Sequence, residues 1–128
     1  MTEEFPNEVR QFVAEYIHSV AELEVLLLLR GSSDRAWTAE DVGKSLYTSA
    51  EMAGTQLADL SGRGLLRNDD ETPPRYQYIP RNQQLDRLVS QLDEIYQQRR
   101  VSVITMIYSK PVDKVRTFAD SFRLRKDK

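Results

Sequence analysis

Cysteine is absent from the 128 residues. Disulfides, thiolate metal sites and cysteine nucleophiles are excluded with it. Histidine occurs once, at His18, so a metal centre built on several imidazoles is excluded too. Long apolar runs are missing. The longest, Val25 to Leu29, is five residues, far below the roughly 18 needed to cross a bilayer. The N-terminal Met1-Thr-Glu-Glu is acidic, the opposite of a secretory leader, so a cytoplasmic protein without membrane contact is expected. Internal repeats and low-complexity tracts are also lacking. No Gly-x-Ser-x-Gly elbow surrounds Ser32, Ser33 and Asp34, and no strand or Lys-Ser/Thr pair frames Gly62-Arg-Gly64 as a phosphate cradle. With no recognisable catalytic spacing, neither an enzyme nor a cofactor is expected.

What is present describes a globular chain: 40% hydrophobic and 30% charged residues, in the length range of a single domain. The net charge of −2 hides an asymmetry. Residues 1–64 hold 5 basic and 11 acidic side chains, whereas residues 65–128 hold 13 basic and 9 acidic. From Arg99 to Lys128 there are 9 basic and 3 acidic residues. A basic end on an acidic body fits an anionic partner, either DNA or an acidic protein surface, or else a solvated tail.

Glycine and proline number five each, and they punctuate a helical pattern. After Pro6, Val9, Phe12, Val13, Tyr16, Ile17 and Val20 recur at helical spacing over Asn7 to Val20. Ser19 to Arg30 is expected to continue as helix. Leu23, Leu26, Leu27 and Leu29 leave it little polar face, so it belongs in the middle of the fold. Thr38-Ala-Glu-Asp41 is a capping-box pattern that starts a short helix through Val42 and Leu46. Thr48-Ser-Ala-Glu51 is a second such pattern. It starts a helix with Met52, Ala53, Leu57 and Leu60 facing inward, stopped at Gly64. Tyr47 falls in the turn between the two.

Leu65 to Asn68 and Arg75 to Ile79 read as short strands around the turn chemistry of Asp69 to Pro74. That hairpin must pack on helices to be stable. Gln83 to Arg100 is helical, with no breaker before Val101 to Tyr108, so the helix is expected to continue. Val112, Val115, Phe118, Ala119 and Phe122 then mark a short amphipathic helix ending in Arg123-Leu-Arg-Lys126.

Two capped helices end to end, a glycine stop and a hairpin are the layout of a winged helix-turn-helix. Thr38 to Asn68 resembles that of MarR-like and PadR-like regulators without a gap. Val42 and Leu46 occupy the first helix's apolar positions, Leu57 and Leu60 those of the recognition helix, and Gly64-Leu65-Leu66 the entry to the wing. The resemblance implies an all-α fold with a small β-hairpin wing, flanked by N- and C-terminal dimerisation helices. It implies one domain, with a core over residues 19–81, a C-terminal helix over 82–109 and a basic amphipathic tail over 110–128. By resemblance the second helix enters the major groove and the wing meets the backbone or minor groove. The pattern departs at Tyr47, where glycine is usual, and at Thr48, where an apolar residue is usual.

The resemblance implies double-stranded DNA as partner. The recognition helix, Ser49 to Arg63, has no cation before Arg63 and carries Glu51 and Asp59. Base readout would fall to Ser49, Thr55 and Gln56, with Glu51 able to accept from cytosine. Phosphate contacts need cations, which would come from Lys44, Arg63, Arg67, Arg75, Arg81 and the tail. Leu85, Leu88, Leu92, Ile95 and Tyr96, with Val103 and Ile107, form a stripe that is either intrachain core or a seam between two copies. A winged domain of about seventy residues is too small to cover both terminal helices, which favours the seam and a homodimer. Trp37, Tyr76 and Tyr78 are expected to pack the wing on the helices rather than stack bases. Asp69, Asp70 and Glu71 are expected to be a solvated hairpin tip, since Pro73-Pro74 breaks the ligand alternation of a calcium loop. The competing function is a winged domain that binds protein instead of DNA, through its acidic recognition face and basic tail.

Overall fold

The computed structural model describes residues 5–109. The helix α1 (Asn7–Tyr16) leads into α2 (Val20–Gly31), α3 (Ala39–Leu46) and α4 (Ala50–Gly62). Strands β1 (Arg67–Asn68) and β2 (Tyr76–Gln77) follow, then α5 (Gln83–Gln98) and α6 (Arg100–Ser109). The C-terminal amphipathic segment expected over 112–126 lies outside the described residues.

The core forms around α2. Its Leu23, Val25, Leu26 and Leu29 are fully buried, and α3, α4 and α6 all pack on it. The apolar stripe of α1, Val9, Phe12 and Val13, is buried, and α1 packs against α5.

Two expected continuous helices are each broken. The first break lies at 17–19, where Ser19 is an N-cap whose hydroxyl accepts the Glu22 backbone N–H at 3.1 Å. The Glu22 carboxylate accepts the His18 N–H at 3.0 Å. Ser19-Val-Ala-Glu22 was a legible start signal that the apolar periodicity overran. The second break lies at Arg99, whose φ of −134° and ψ of 60° leave the helical region. Val103 and Ile107 of the redirected α6 are buried. This break has no local sequence signal.

The wing is shorter than expected. Only Arg67↔Gln77 and Asn68↔Tyr76 pair, antiparallel. A third segment anchors its base: Trp37 and Tyr76 exchange both backbone hydrogen bonds at 2.7 Å. Trp37, Tyr76 and Tyr78 are buried, as expected of residues packing the wing on the helices. Tyr78 donates to the Asp86 carboxylate at 2.8 Å, tying the wing to the start of α5. Burial first, and then that carboxylate, raise the phenol's pKa well above its ordinary value.

The stripe on α5 and α6 is used within the chain. Leu85, Leu92, Tyr96, Val103 and Ile107 are buried in the core, while Leu88 and Ile95 are half-buried against it. This corrects the expected seam between copies, because α1 and α2 already cover most of it. Polar ties close the same layer: Arg30 to Asp93 at 2.7 Å, Tyr96 to Glu24 at 2.5 Å and Arg100 to Glu24 at 3.1 Å. Burial and the Glu24 carboxylate push the Tyr96 phenol up to about 12.

Candidate nucleic-acid interface

The helix pair α3–α4 begins at the Thr38 capping box. The Asp41 N–H donates to the Thr38 hydroxyl at 3.1 Å, and the Thr38 N–H donates back to the Asp41 carboxylate at 3.2 Å. That backbone N–H holds Asp41 below the usual carboxylate range, helped by the Thr38 side chain and Arg35. Arg35 lies 3.3 Å from Asp41 and stacks over the Trp37 ring at 3.7 Å.

The turn between the helices is tight. Thr48 N–H donates to the Gly43 carbonyl at 2.9 Å. A Cβ on Gly43 would meet the Thr48 carbonyl oxygen at 2.7 Å. The close approach that needs glycine therefore falls at Gly43 and not in the turn. Tyr47 takes the left-handed conformation instead, with φ 57° and ψ 45°, and is 95% exposed. The cap of α4 is Ser49, not Thr48. Its hydroxyl accepts the Met52 N–H at 3.0 Å.

Along α4, Ala53, Leu57 and Leu60 are buried as expected. Met52 is not: it is 54% exposed, which corrects its assignment to the inward face. Ser49, Ala50, Glu51, Thr55, Ala58 and Asp59 are also exposed, and Gln56 is half-buried. The Thr55 hydroxyl donates to the Glu51 carbonyl within the helix at 3.2 Å.

Arg63 ends α4 pointing inward. Its guanidinium donates to the Tyr16 carbonyl at 3.1 Å and to the buried Glu22 carboxylate at 2.8 Å. It also lies 3.0 Å from His18 Nδ1, and it sits 4.0 Å from Asp59. A DNA contact was expected of Arg63; these bonds engage it in joining α4 to the α1–α2 junction, which corrects that assignment. His18 is thus part of a polar lock.

The other cations sort by their partners. Lys44 is exposed, 3.9 Å from Glu40. Arg75 is exposed but bonded to Asp69 at 2.8 Å. Asp69 also accepts the backbone N–H groups of Glu71 and Arg75 at 3.0 and 2.9 Å. Those bonds, that of Arg75 first, lower its pKa and make it the staple of the wing tip. Arg67 and Arg81 are exposed on the wing and its exit. Arg81 lies over Gly64, whose φ of +87° is the left-handed stop expected after α4. No ion pair of Arg67 or Arg81 occurs among the described residues.

An exposed helix face can enter a groove while the exposed arginines of the hairpin beside it, Arg67 and Arg81, meet phosphates. No family model and no curated protein match this sequence. Among solved structures, a MarR family protein from Bacillus stearothermophilus matches with probability 1.00 and a TM-score of 0.52. The match covers 94% of this chain and 84% of that one, at 13% identity. The fold is a MarR-like winged helix. The likeness spans the flanking helices as well as the helix-turn-helix that the sequence pattern resembled. Among the described residues, no helix is long and apolar enough to cross a membrane.

Proposed function

We propose that this chain is a DNA-binding transcription regulator that acts as a dimer. The observation that carries the reading is the exposed face of α4 beside the exposed Arg67 and Arg81, on a MarR-like winged-helix frame. Two recognition helices set about one helical turn apart would meet successive major grooves of a pseudo-palindromic site. Arg67 and Arg81, with Lys44 and Arg75, would supply the phosphate contacts. Ser49, Thr55 and Gln56 lie where base edges would be read.

The dimer surface in this reading is the outer face of α6, not the buried Leu85–Tyr96 stripe. Val101 and Tyr108, seven residues apart on one helix face, are 75% and 70% exposed. Ile104 lies half-buried between them. A helix apolar nearly all round is expected to be covered on both sides, and a second copy supplies that cover.

Fluorescence anisotropy with duplexes of randomised sequence, titrated with salt, tests the DNA reading. Binding at about 50 mM salt that weakens steeply as salt rises is expected. Arg67→Ala or Arg81→Ala should each flatten the salt slope by about one unit. No binding to any duplex at low salt overturns the reading. Light scattering at micromolar concentration tests the dimer: a 14.8 kDa species, unchanged by concentration, overturns it. A protein-docking winged domain is the second reading. The exposed acids of α4, Glu51 and Asp59, favour it.

A further inference from the structure

We infer that the head of α4 reads thymine methyl groups, so that each half-site presents A·T pairs to Ala50 and Met52 rather than guanine. The inference rests on the DNA-binding reading and specifies which sequences that reading selects.

The commonest specific contact in the major groove is an arginine or lysine paired with guanine O6 and N7. No residue of α4 can make it. The helix holds neither Lys nor Arg, and Arg63 just beyond is bonded to Tyr16, Glu22 and His18. Of the hydroxyls at the head, that of Thr55 uses its proton within the helix, while that of Ser49 keeps its own. Ser49 accepts the Met52 N–H, and Thr55 donates to the Glu51 carbonyl.

Beside the Glu51 carboxylate and the Ser49 hydroxyl, what the head offers outward is apolar: the Ala50 methyl, the Met52 thioether, the Thr55 methyl and the Tyr47 ring. The thymine C5 methyl is the apolar group a base pair displays in the major groove, and side chains of this kind contact it. Gln56, on the next turn, carries the amide that pairs with adenine N6 and N7. Both preferences name the same base pair.

Neither Tyr47 nor Met52 is explained by the fold. Met52 stands out from a helix whose inward positions are already filled by Ala53, Leu57 and Leu60. Tyr47 is almost fully exposed, in a backbone conformation that glycine or asparagine adopts more easily. Both side chains are therefore available to something outside the chain.

The test uses the full chain and a duplex pool with a randomised core, selected by repeated binding at about 50 mM salt. Half-sites rich in A·T are expected. Replacing one contacted thymine by deoxyuridine, which removes only the methyl, should weaken binding about fourfold. Met52→Ala should lower affinity for the thymine duplex and abolish most of the difference between thymine and deoxyuridine. Its melting curve should match the parent protein, since Met52 is outside the core. Selection of G·C-rich half-sites, or equal binding of thymine and deoxyuridine duplexes, overturns this inference and leaves the DNA-binding reading standing. Failure to enrich any duplex overturns both.

Discussion

At the C-terminal end of α4, the one cation, Arg63, turns inward. Arg63 bonds to a carbonyl of α1 and to the buried Glu22 of α2. At the N-terminal end, Tyr47 and Met52 stand in solvent, and Tyr47 occupies a left-handed turn. The cation just beyond α4 is committed to the fold. The tail of α4 thus ties the helix to α1 and α2, and the head is left exposed. The two ends of one helix, thirteen residues long, differ in what holds them.

Breaking the lock should cost most. Arg63→Ala leaves Glu22, 6% exposed, without its cation. A loss of about 2–3 kcal/mol in urea unfolding is expected, below the full cost for a buried pair because the arginine is partly solvated. A loss under about 0.5 kcal/mol would show that the tail is not held by this contact.

Crowding the head from behind comes next. Gly43→Ala places a methyl against the Thr48 backbone, which can yield only by moving the turn. About 1–2 kcal/mol of destabilisation is expected. An unchanged melting temperature would mean that the α3–α4 turn is looser than the close approach implies.

The capping box should give a smaller, pH-dependent effect. Asp41→Asn should cost about 1 kcal/mol at neutral pH. Because the folded pKa of Asp41 is lowered, its contribution is present above the unfolded value of 3.8. It is lost as pH falls through the lowered value. The gap between parent and variant should therefore close in acid, and a gap that widened there would reverse the assigned cause.

The smallest effect on stability is expected at the head itself. Tyr47→Gly relieves the left-handed strain but frees the unfolded chain, so the two terms offset to within about 1 kcal/mol. Duplex binding should fall all the same. Loss of stability well beyond that, with binding kept, would make Tyr47 a structural residue and erase the contrast between the two ends.

Much of this fold was legible wherever a signal is local. Thr38 and Asp41 satisfy each other's backbone groups across three residues, and the box stands as read. Gly64 stops α4 because only a left-handed residue closes that turn cheaply. Ser19 shows the same chemistry, though the apolar periodicity around Val20 masked it. At the candidate site, the lack of cations on α4 was visible, and the fold of Leu57 and Leu60 into the core followed from their spacing. The exposure of Met52 did not follow, because a position two residues into a helix can lie on the boundary between its faces.

The sequence by itself determined where helix and hairpin lie, the capping box at Thr38, the stop at Gly64 and the winged order in which the elements run. Those depend on hydrogen bonds and periodicities spanning a few residues. Tertiary structure alone decided the partners. Glu22 and Arg63 are 41 positions apart, Glu24 and Tyr96 are 72 apart, and Trp37 pairs with Tyr76 across the wing. It also decided that the α5–α6 stripe closes on α1 and α2, and that the break at Arg99 turns α6 to leave Val101 and Tyr108 outside. An apolar stripe states that it must be buried, because water is excluded from it at a gain of free energy; it does not state against which surface. That choice belongs to the packing of all the helices at once.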